Sequence, residues 1–493
     1  MKTYFQLTLI TLLFLTSCLL LTSQAESTPA PLPSEVPLAS SADRSKFKVG
    51  LVPEYHHILD ELPYTSSYSI HLLIADNLYE ITGSETVVYF NAEDVPLNEV
   101  NFRLFPNLLG GKMKAGNLSV DGEGVTAAYS LHDSLMTIPL KTSLQPGQSI
   151  TLRMDFEISI PQSVSLNYGV QAYYDNVLAL AHAYPMIAVY DDEGWNAEIP
   201  PQSGDVTYAD ISFFTVTVDA PKNLVVAGTG VEVSRQNTGN RQTVRYEAGP
   251  VRDFYLAASP DYQVFVRESN GVTIRFYTRG NLQAGAEFAL DVAVRAVEIF
   301  EKRYAPYPYT ELDFVSTPTL ALGIEYPGII AMTESLMEPG NAYLEATVVH
   351  EVAHQWFYNL VGNDQLDDPW LDESLAQFAT LQYYVDEYGE AGKEAYLEDI
   401  EGRWAYIVNE RIPVGLPVRA YSYAEYSGIV YGRGALFFIA LREEMGTRNF
   451  DDFLRAYVKN NAWNIGTTEV LKAEAEAQCA CDLTVLFDEW VYP

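Results

Sequence analysis

Two things are scarce in this chain, cysteine and positive charge. Three cysteines occur in 493 residues. Cys18 falls in an apolar N-terminal stretch, which leaves Cys479 and Cys481 in the body of the chain. Separated by one residue, that pair can close only a small, strained ring. It therefore reads either as two free thiols or as a local disulfide with no catalytic role. No third or fourth soft ligand stands near it, which argues against a cysteine-based metal site. Lysine and arginine number 30 against 65 aspartates and glutamates, a formal charge of −35. Such a balance argues against nucleic acid, and against an anionic membrane surface, as an electrostatic partner. Solubility is its plainest consequence.

What is present suits two domains behind an N-terminal extension. Hydrophobic residues make up 48%, enough for substantial cores, and 13% aromatics with 34 tyrosines favour strand-rich structure. Lys2 and the apolar run from Tyr4 to Leu21 read as an export signal, so residues 1–25 are a leader and the protein is exported, extracellular or at the cell surface. Two ends of that leader stay open. Leu15-Thr16-Ser17-Cys18 has the form of a bacterial lipobox, which would anchor the chain through a lipid on Cys18. Ser23-Gln24-Ala25 is a small-x-small site for ordinary cleavage, and an uncleaved anchor is the third reading. Any membrane contact is then confined to this N-terminal lipid or anchor. Residues 26–47, with Pro29, Pro31, Pro33 and Pro37, cannot bury a core and read as a disordered tether.

From about 48 to 252 the texture is β. Short alternating runs such as Tyr68–Ile74, Ser149–Ile160 and Phe213–Val218 are punctuated by turn clusters such as Asp121-Gly122-Glu123-Gly124, with no internal repeat and no long helical pattern. An antiparallel sandwich or saddle is expected. His56, His57, His71, His132 and His182 are scattered here without ligand spacing and read as surface or structural residues. From 253 to 493 the chain turns mostly helical behind a small sheet, an α+β domain. A helix is expected over Ala286–Tyr304, a short strand over Glu311–Val315, and another helix from about Ile429 to Met445 ending at Gly446.

One stretch of this second half carries chemistry. His350-Glu351-Val352-Ala353-His354 is H-E-x-x-H, and Val348, Val352, Trp356 and Leu360 have the apolar period of a buried helix that Gly362 would end. One turn apart, His350 and His354 face the same way and can reach one metal ion. Asp368 as N-cap and Pro369 as first helical residue would open a second helix with Glu373 in its first turn. Two histidines and a carboxylate with an open position are what catalytic zinc requires, one ion per chain, and Glu351 stands next to them as general base.

His350 to Phe357 and Trp370-Leu371-Asp372-Glu373, with eighteen residues between His354 and Glu373, resemble the signature of the gluzincin aminopeptidases, the membrane alanyl aminopeptidase family that also includes leukotriene hydrolase. Asp372 and Ser374 stand where that pattern has Asn and Gly. Leu322-Gly323-Ile324-Glu325-Tyr326-Pro327 is similar to the exopeptidase motif G-x-M-E-N, keeping the acid and changing its neighbours. Tyr431-Gly432-Arg433-Gly434-Ala435 is similar to Y-x-K-G-A. The resemblance implies a β saddle followed by a thermolysin-like catalytic domain, Tyr431 as oxyanion donor, and Glu325, with Gly323 in the same motif, as the site for the free N-terminus of a peptide. Asp372 and Arg433 are then second-sphere candidates. Members usually carry a further helical-repeat domain over the site, and a chain stopping at Pro493 implies a more open cleft or one covered by another subunit. Zinc aminopeptidase is the leading expectation. The altered exopeptidase motif leaves a zinc endopeptidase or another hydrolase as the alternative, and a non-catalytic binding protein as a third.

Overall fold

The computed structural model describes residues 43–201, 204, 207–338, 341–407 and 411–492. The leader, Cys18 and the tether as far as residue 42 lie outside the described residues. Ser41–Pro493 form one compact unit.

Period-two burial builds the first half. In β1 (Ser66–Ile74), Tyr68, Ile70, Leu72 and Ile74 are buried while Ser69, His71 and Leu73 are exposed. The same alternation recurs in β2 (Glu80–Phe90), β5 (Ser149–Ser159), β6 (Ser212–Pro221) and the start of β8 (Arg241–Val251), whereas β3 (Lys112–Val120) buries only Met113 and β4 (Glu123–Gly124) and β7 (Val231–Thr238) are almost wholly exposed. These make an eight-stranded sheet in the order β7-β8-β6-β1-β2-β5-β3-β4. The expectation of antiparallel pairing holds for every pair but one: β1 and β6 are parallel. Between β5 and β6 the chain departs to add strands to two four-stranded sheets, Gln171–Tyr174 and Met186–Ile187 at their edges and Val177–Leu180 inside one of them. That excursion is long enough to bring β6 back in the direction of β1, which a tight hairpin could not do.

Order begins earlier than the tether reading placed it. Ser45–Gly50 is a 3₁₀ turn whose Phe47 is buried, its ring 4.8 Å from that of Phe213. An apolar ring with a partner outweighs the disorder-prone composition around it.

The second half starts on a five-stranded sheet of β9 (Tyr262–Ser269), β10 (Val272–Arg279), β11 (Glu311–Thr317), β12 (Gly323–Ile324) and β13 (Ile329–Thr333), ordered β9-β10-β11-β13-β12. Two-residue β12 is an edge strand, antiparallel to β13. α1 (Gln283–Arg303) buries Ala286, Ala289, Leu290, Ala293, Val297 and Phe300, an i, i+3, i+4, i+7 stripe. α2 (Ala342–Ala353), α3 (Trp370–Ala405) and α4 (Gly434–Met445) follow, then Thr447–Asn461, Thr468–Cys479 and Thr484–Trp490. Within α3, Gly389 is non-helical at φ 66° and kinks it. α4 ends where expected, at Gly446 with φ 76°. Of the two readings of Cys479 and Cys481, the structure has the disulfide.

Candidate active site

Asn341 caps α2 by accepting from the Tyr343 amide, and His350 and Glu351 lie in the last turn. The helix stops at Ala353, with His354 as its cap. This corrects the expected run through Leu360. Beyond His354 the chain opens into wider turns, with the amides of Asn359 and Val361 donating to the carbonyls of His354 and Trp356. Tyr358 has φ 150°, which no helix accommodates. The buried guanidinium of Arg252 holds it there, donating to the carbonyls of Tyr358 (2.6 Å), Ala209 (3.1 Å) and Asn464 (2.6 Å). The apolar period of Trp356 and Leu360 reflects burial in turns, since both are 0–1% exposed without being helical. His354 keeps helical backbone angles (φ −63°, ψ −16°), so it still projects beside His350.

α3 begins at Trp370, one residue later than expected. Pro369 is its N-cap, and the Asp368 carboxylate instead accepts from the Thr468 hydroxyl. Glu373 is in the first turn. Its Oε2 lies 3.0 Å from His350 Nε2 and 3.5 Å from His354 Nε2, and the two imidazole nitrogens are 3.1 Å apart. Donors held about 2.05 Å from one tetrahedral ion stand about 3.3 Å from each other, and the three separations bracket that figure. His354 Nδ1 meets the Phe357 carbonyl at 3.0 Å, which places its proton there and leaves the Nε2 lone pair for the cluster.

Electrostatics point the same way. Burial favours a neutral His354, yet Glu373, Glu325 and Glu351 together push it well up. Glu373 would be raised by burial, but its contacts with His350 and His354 hold it below the usual carboxylate range. Glu325, Glu351, Asp372 and Glu373 are each at most 5% exposed. Among the described residues, no lysine or arginine forms an ion pair with any of them. Such a cluster calls for a cation from outside the chain, and a divalent ion on two imidazoles and a carboxylate fits it.

Glu351 extends toward β12. A Cβ placed on Gly323 would lie 2.4 Å from Glu351 Oε1, so any side chain at this position would displace the carboxylate that the edge strand passes. Its Oε2 is buried and without a hydrogen-bond partner among the described residues. Burial, then the neighbouring Glu325, pushes its carboxyl well up. Glu325, directly after β12, shares a cluster with Glu351 and His354 whose ligand atoms all lie within 4.8 Å. It also lines a cavity of about 570 Å³ with Tyr326, Tyr358, Gln365, His182 and Thr207.

Gln365 is a member of the site that the sequence reading missed. Its amide donates to Glu325 Oε1 (2.9 Å) and Asp372 Oδ2 (2.8 Å), tying the β12 side of the site to α3. It sits in a loop with no periodicity to mark it, so nothing in the sequence singles it out. Asp372 in turn accepts from the Glu373 amide at 2.9 Å, and burial pushes its carboxyl up to about 8.

Tyr431 belongs to a π-helical turn, Tyr426–Arg433, leading into α4. Its hydroxyl donates to Glu373 Oε1, and its ring lies 5.9 Å from that of His350. Arg433 does not join the cluster, which corrects its second-sphere assignment. Its guanidinium donates to the carbonyls of Ile412, Glu489 and Trp490 and covers the Trp490 ring. Two positions on from Tyr431 in this turn, it faces the C-terminal segment. His182 is structural, as expected: it bridges Asp253 (2.8 Å) and Thr207 (2.8 Å) in the cavity wall.

Residues 288–490 match the peptidase family M1 domain. The chain carries an M1 peptidase domain. The resemblance to the gluzincin aminopeptidases is borne out, with a sheet-rich N-terminal half ahead of the mostly helical one. Among curated relatives, "Aminopeptidase M1" of Arabidopsis thaliana is 28% identical over 295 residues, covering 56% of this chain and 33% of the plant protein. "Aminopeptidase N" of Lactococcus lactis subsp. lactis is 24% identical over 450 residues, covering 79% of this chain and 50% of its own. The chain thus spans about a third to a half of the length of the curated relatives it matches. In fold, the M1 zinc metallopeptidase of Deinococcus radiodurans matches with a TM-score of 0.69 at 20% identity, covering 87% of this chain and 94% of that one. A mutant of that protein has been solved with a Tyr-Ser-Ala substrate.

Proposed function

We propose that this chain is a zinc aminopeptidase that removes residues one at a time from the free N-terminus of peptides. His350, His354 and Glu373 would hold the ion. When bound, zinc supplies Lewis-acid activation of water and of the scissile carbonyl. The chain's own residues do the rest. Glu351 takes the proton from the attacking water at its carboxylate and returns it to the leaving amine, and its raised affinity for a proton suits that exchange. The Tyr431 hydroxyl, now resting on Glu373, donates to the oxygen that gains charge as the carbonyl is attacked.

The observation that carries the exopeptidase reading is Glu325. It is a buried carboxylate beside Glu351, at the wall of the cavity, and among the described residues its side-chain hydrogen-bond partner is the neutral amide of Gln365. Burial raises its carboxyl, as expected of an acid awaiting a cation. A peptide's α-ammonium is such a cation, and pairing there sets the first peptide bond at a fixed remove from Glu351. The Tyr-Ser-Ala complex of the Deinococcus protein, a tripeptide, is consistent with this substrate class. Hydrolysis of aminoacyl-arylamides, with and without N-acetylation, tests it. Free substrates should be cleaved and acetylated ones spared; equal rates would turn the reading to the endopeptidase alternative. Export belongs to the same proposal, supported by the apolar run of residues 4–21. Palmitate-analogue labelling lost on Cys18→Ala would assign the lipid-anchored form.

A further inference from the structure

Ser374 follows Glu373 on α3 and is fully buried. Its hydroxyl donates to the backbone carbonyl of Val430 at 2.6 Å, across a separation of 56 residues. Val430 immediately precedes Tyr431. A single hydroxyl therefore fastens the helix that carries Glu373 to the turn that carries Tyr431, and the Tyr431 hydroxyl rests on the Glu373 carboxylate. The turn is wider than an α-helix, with the Gly434 amide reaching back to the Ile429 carbonyl. Widened turns set side-chain directions that a regular helix does not, and they hold only where neighbours fix their backbone groups.

Room for this contact comes from Gly434, where a Cβ would lie 2.0 Å from Ser374 Oγ. A second glycine presses the turn onto the far part of α3: a Cβ on Gly432 would lie 3.0 Å from the Trp404 nitrogen and 3.2 Å from the Ile400 carbonyl oxygen. The turn is clamped on both sides by close backbone approach. Of the clamps, Ser374 alone is a directional hydrogen bond next to the reacting groups.

We infer that Ser374 is a positioning residue: by holding the Val430 carbonyl, its hydroxyl sets where the Tyr431 phenol stands relative to Glu373 and the substrate carbonyl. The inference rests on the proposed function only in that Tyr431 acts on the substrate.

Ser374→Ala removes the donor with little loss of volume. It should lower kcat on the order of tenfold through misplacement of one donor, with KM and zinc content unchanged. In a Tyr431→Phe background, where no phenol remains to be placed, the same substitution should change kcat less than about twofold. An equal loss in both backgrounds would mean that Ser374 supports packing alone, and would overturn the inference. A crystal structure of the Ser374→Ala protein supplies a readout independent of activity. The Tyr431 hydroxyl should leave the Glu373 carboxylate; an unmoved hydroxyl sinks the inference, even if the wild-type protein proves inactive and the proposed function falls separately. Should Ser374→Ala fold poorly, the exchange Ser374→Gly with Gly434→Ala refills the space without a donor. It should regain the wild-type Tm while kcat stays at the lowered level, and recovery of kcat would again overturn the inference.

Discussion

Glu351 and Gly323 test the site at the scale of single residues. Glu351→Gln keeps the shape of the side chain and removes its basicity, so kcat should fall by about 10³-fold with zinc content intact. Gly323→Ala attacks the same carboxylate from the other side. A Cβ 2.4 Å from Glu351 Oε1 forces the base to move, and a shift of about 1 Å costs on the order of 10²-fold in kcat. Steady-state kinetics with metal analysis separates loss of the base from loss of the ion. Glu325→Gln should act differently, raising KM for free aminoacyl-arylamides and narrowing their advantage over N-acetylated ones, because it removes the charge proposed to meet the ammonium. Tyr431→Phe, by removing the proposed oxyanion donor, should lower kcat by about 10²–10³-fold.

Among the elements, the five-stranded sheet contains a titrating group with a clear sign. Asp313 on β11 is buried beside Arg275 (3.3 Å), and burial pushes its carboxyl up to about 7 despite that arginine. An acid raised in the folded state binds its proton more tightly there than in the unfolded chain. Its contribution to stability is therefore present at pH 4 and is lost as pH rises through about 7. Asp313→Asn should stabilise the protein at pH 8, by roughly 2–4 °C in Tm, and do so less at pH 5. Thermal melts at the two pH values check this. The π-helical turn and the kink at Gly389 show why element type was only partly legible. The apolar period announces a buried helix over Ile429–Met445, yet its turns up to Arg433 are wider than α-helical, which redirects Tyr431 relative to α4.

For the whole molecule, Arg252 joins parts distant in sequence. Its guanidinium, just after β8, holds carbonyls at Ala209, Tyr358 and Asn464, so the end of the saddle sheet props the turns that follow His354. Arg252→Lys cannot span three carbonyls from one ammonium, and each charged hydrogen bond lost from a buried site costs about 1.5–3 kcal/mol. A lowered Tm together with weakened zinc retention in chelator competition is the expected outcome. Removing zinc from the wild-type chain should also lower Tm, and more at pH 8 than at pH 6. The raised carboxyls of Glu325 and Glu351 can take protons in place of the ion at the lower pH, but must bury charge at the higher one. Calorimetry of apo and zinc-loaded protein at both pH values measures this.

What the sequence determined by itself was everything set by local spacing. Two histidines one turn apart, Glu351 between them, a carboxylate early in the next helix and alternating strands all follow from backbone periodicity, which is short-range and read residue by residue. The glutamate and the tyrosine of the exopeptidase reading came through motif resemblance and found their places beside the cluster. Only the tertiary structure decided how the pieces meet. It ended α2 at Ala353, because a buried arginine from the saddle sheet holds Tyr358 outside helical geometry. It made Gly323 a requirement of Glu351, brought in Gln365 from an unmarked loop, and turned Arg433 to the C-terminal segment. Contacts between residues far apart in the chain leave no period in the sequence, so close approach and hydrogen bonding across elements become visible only when the chain has folded.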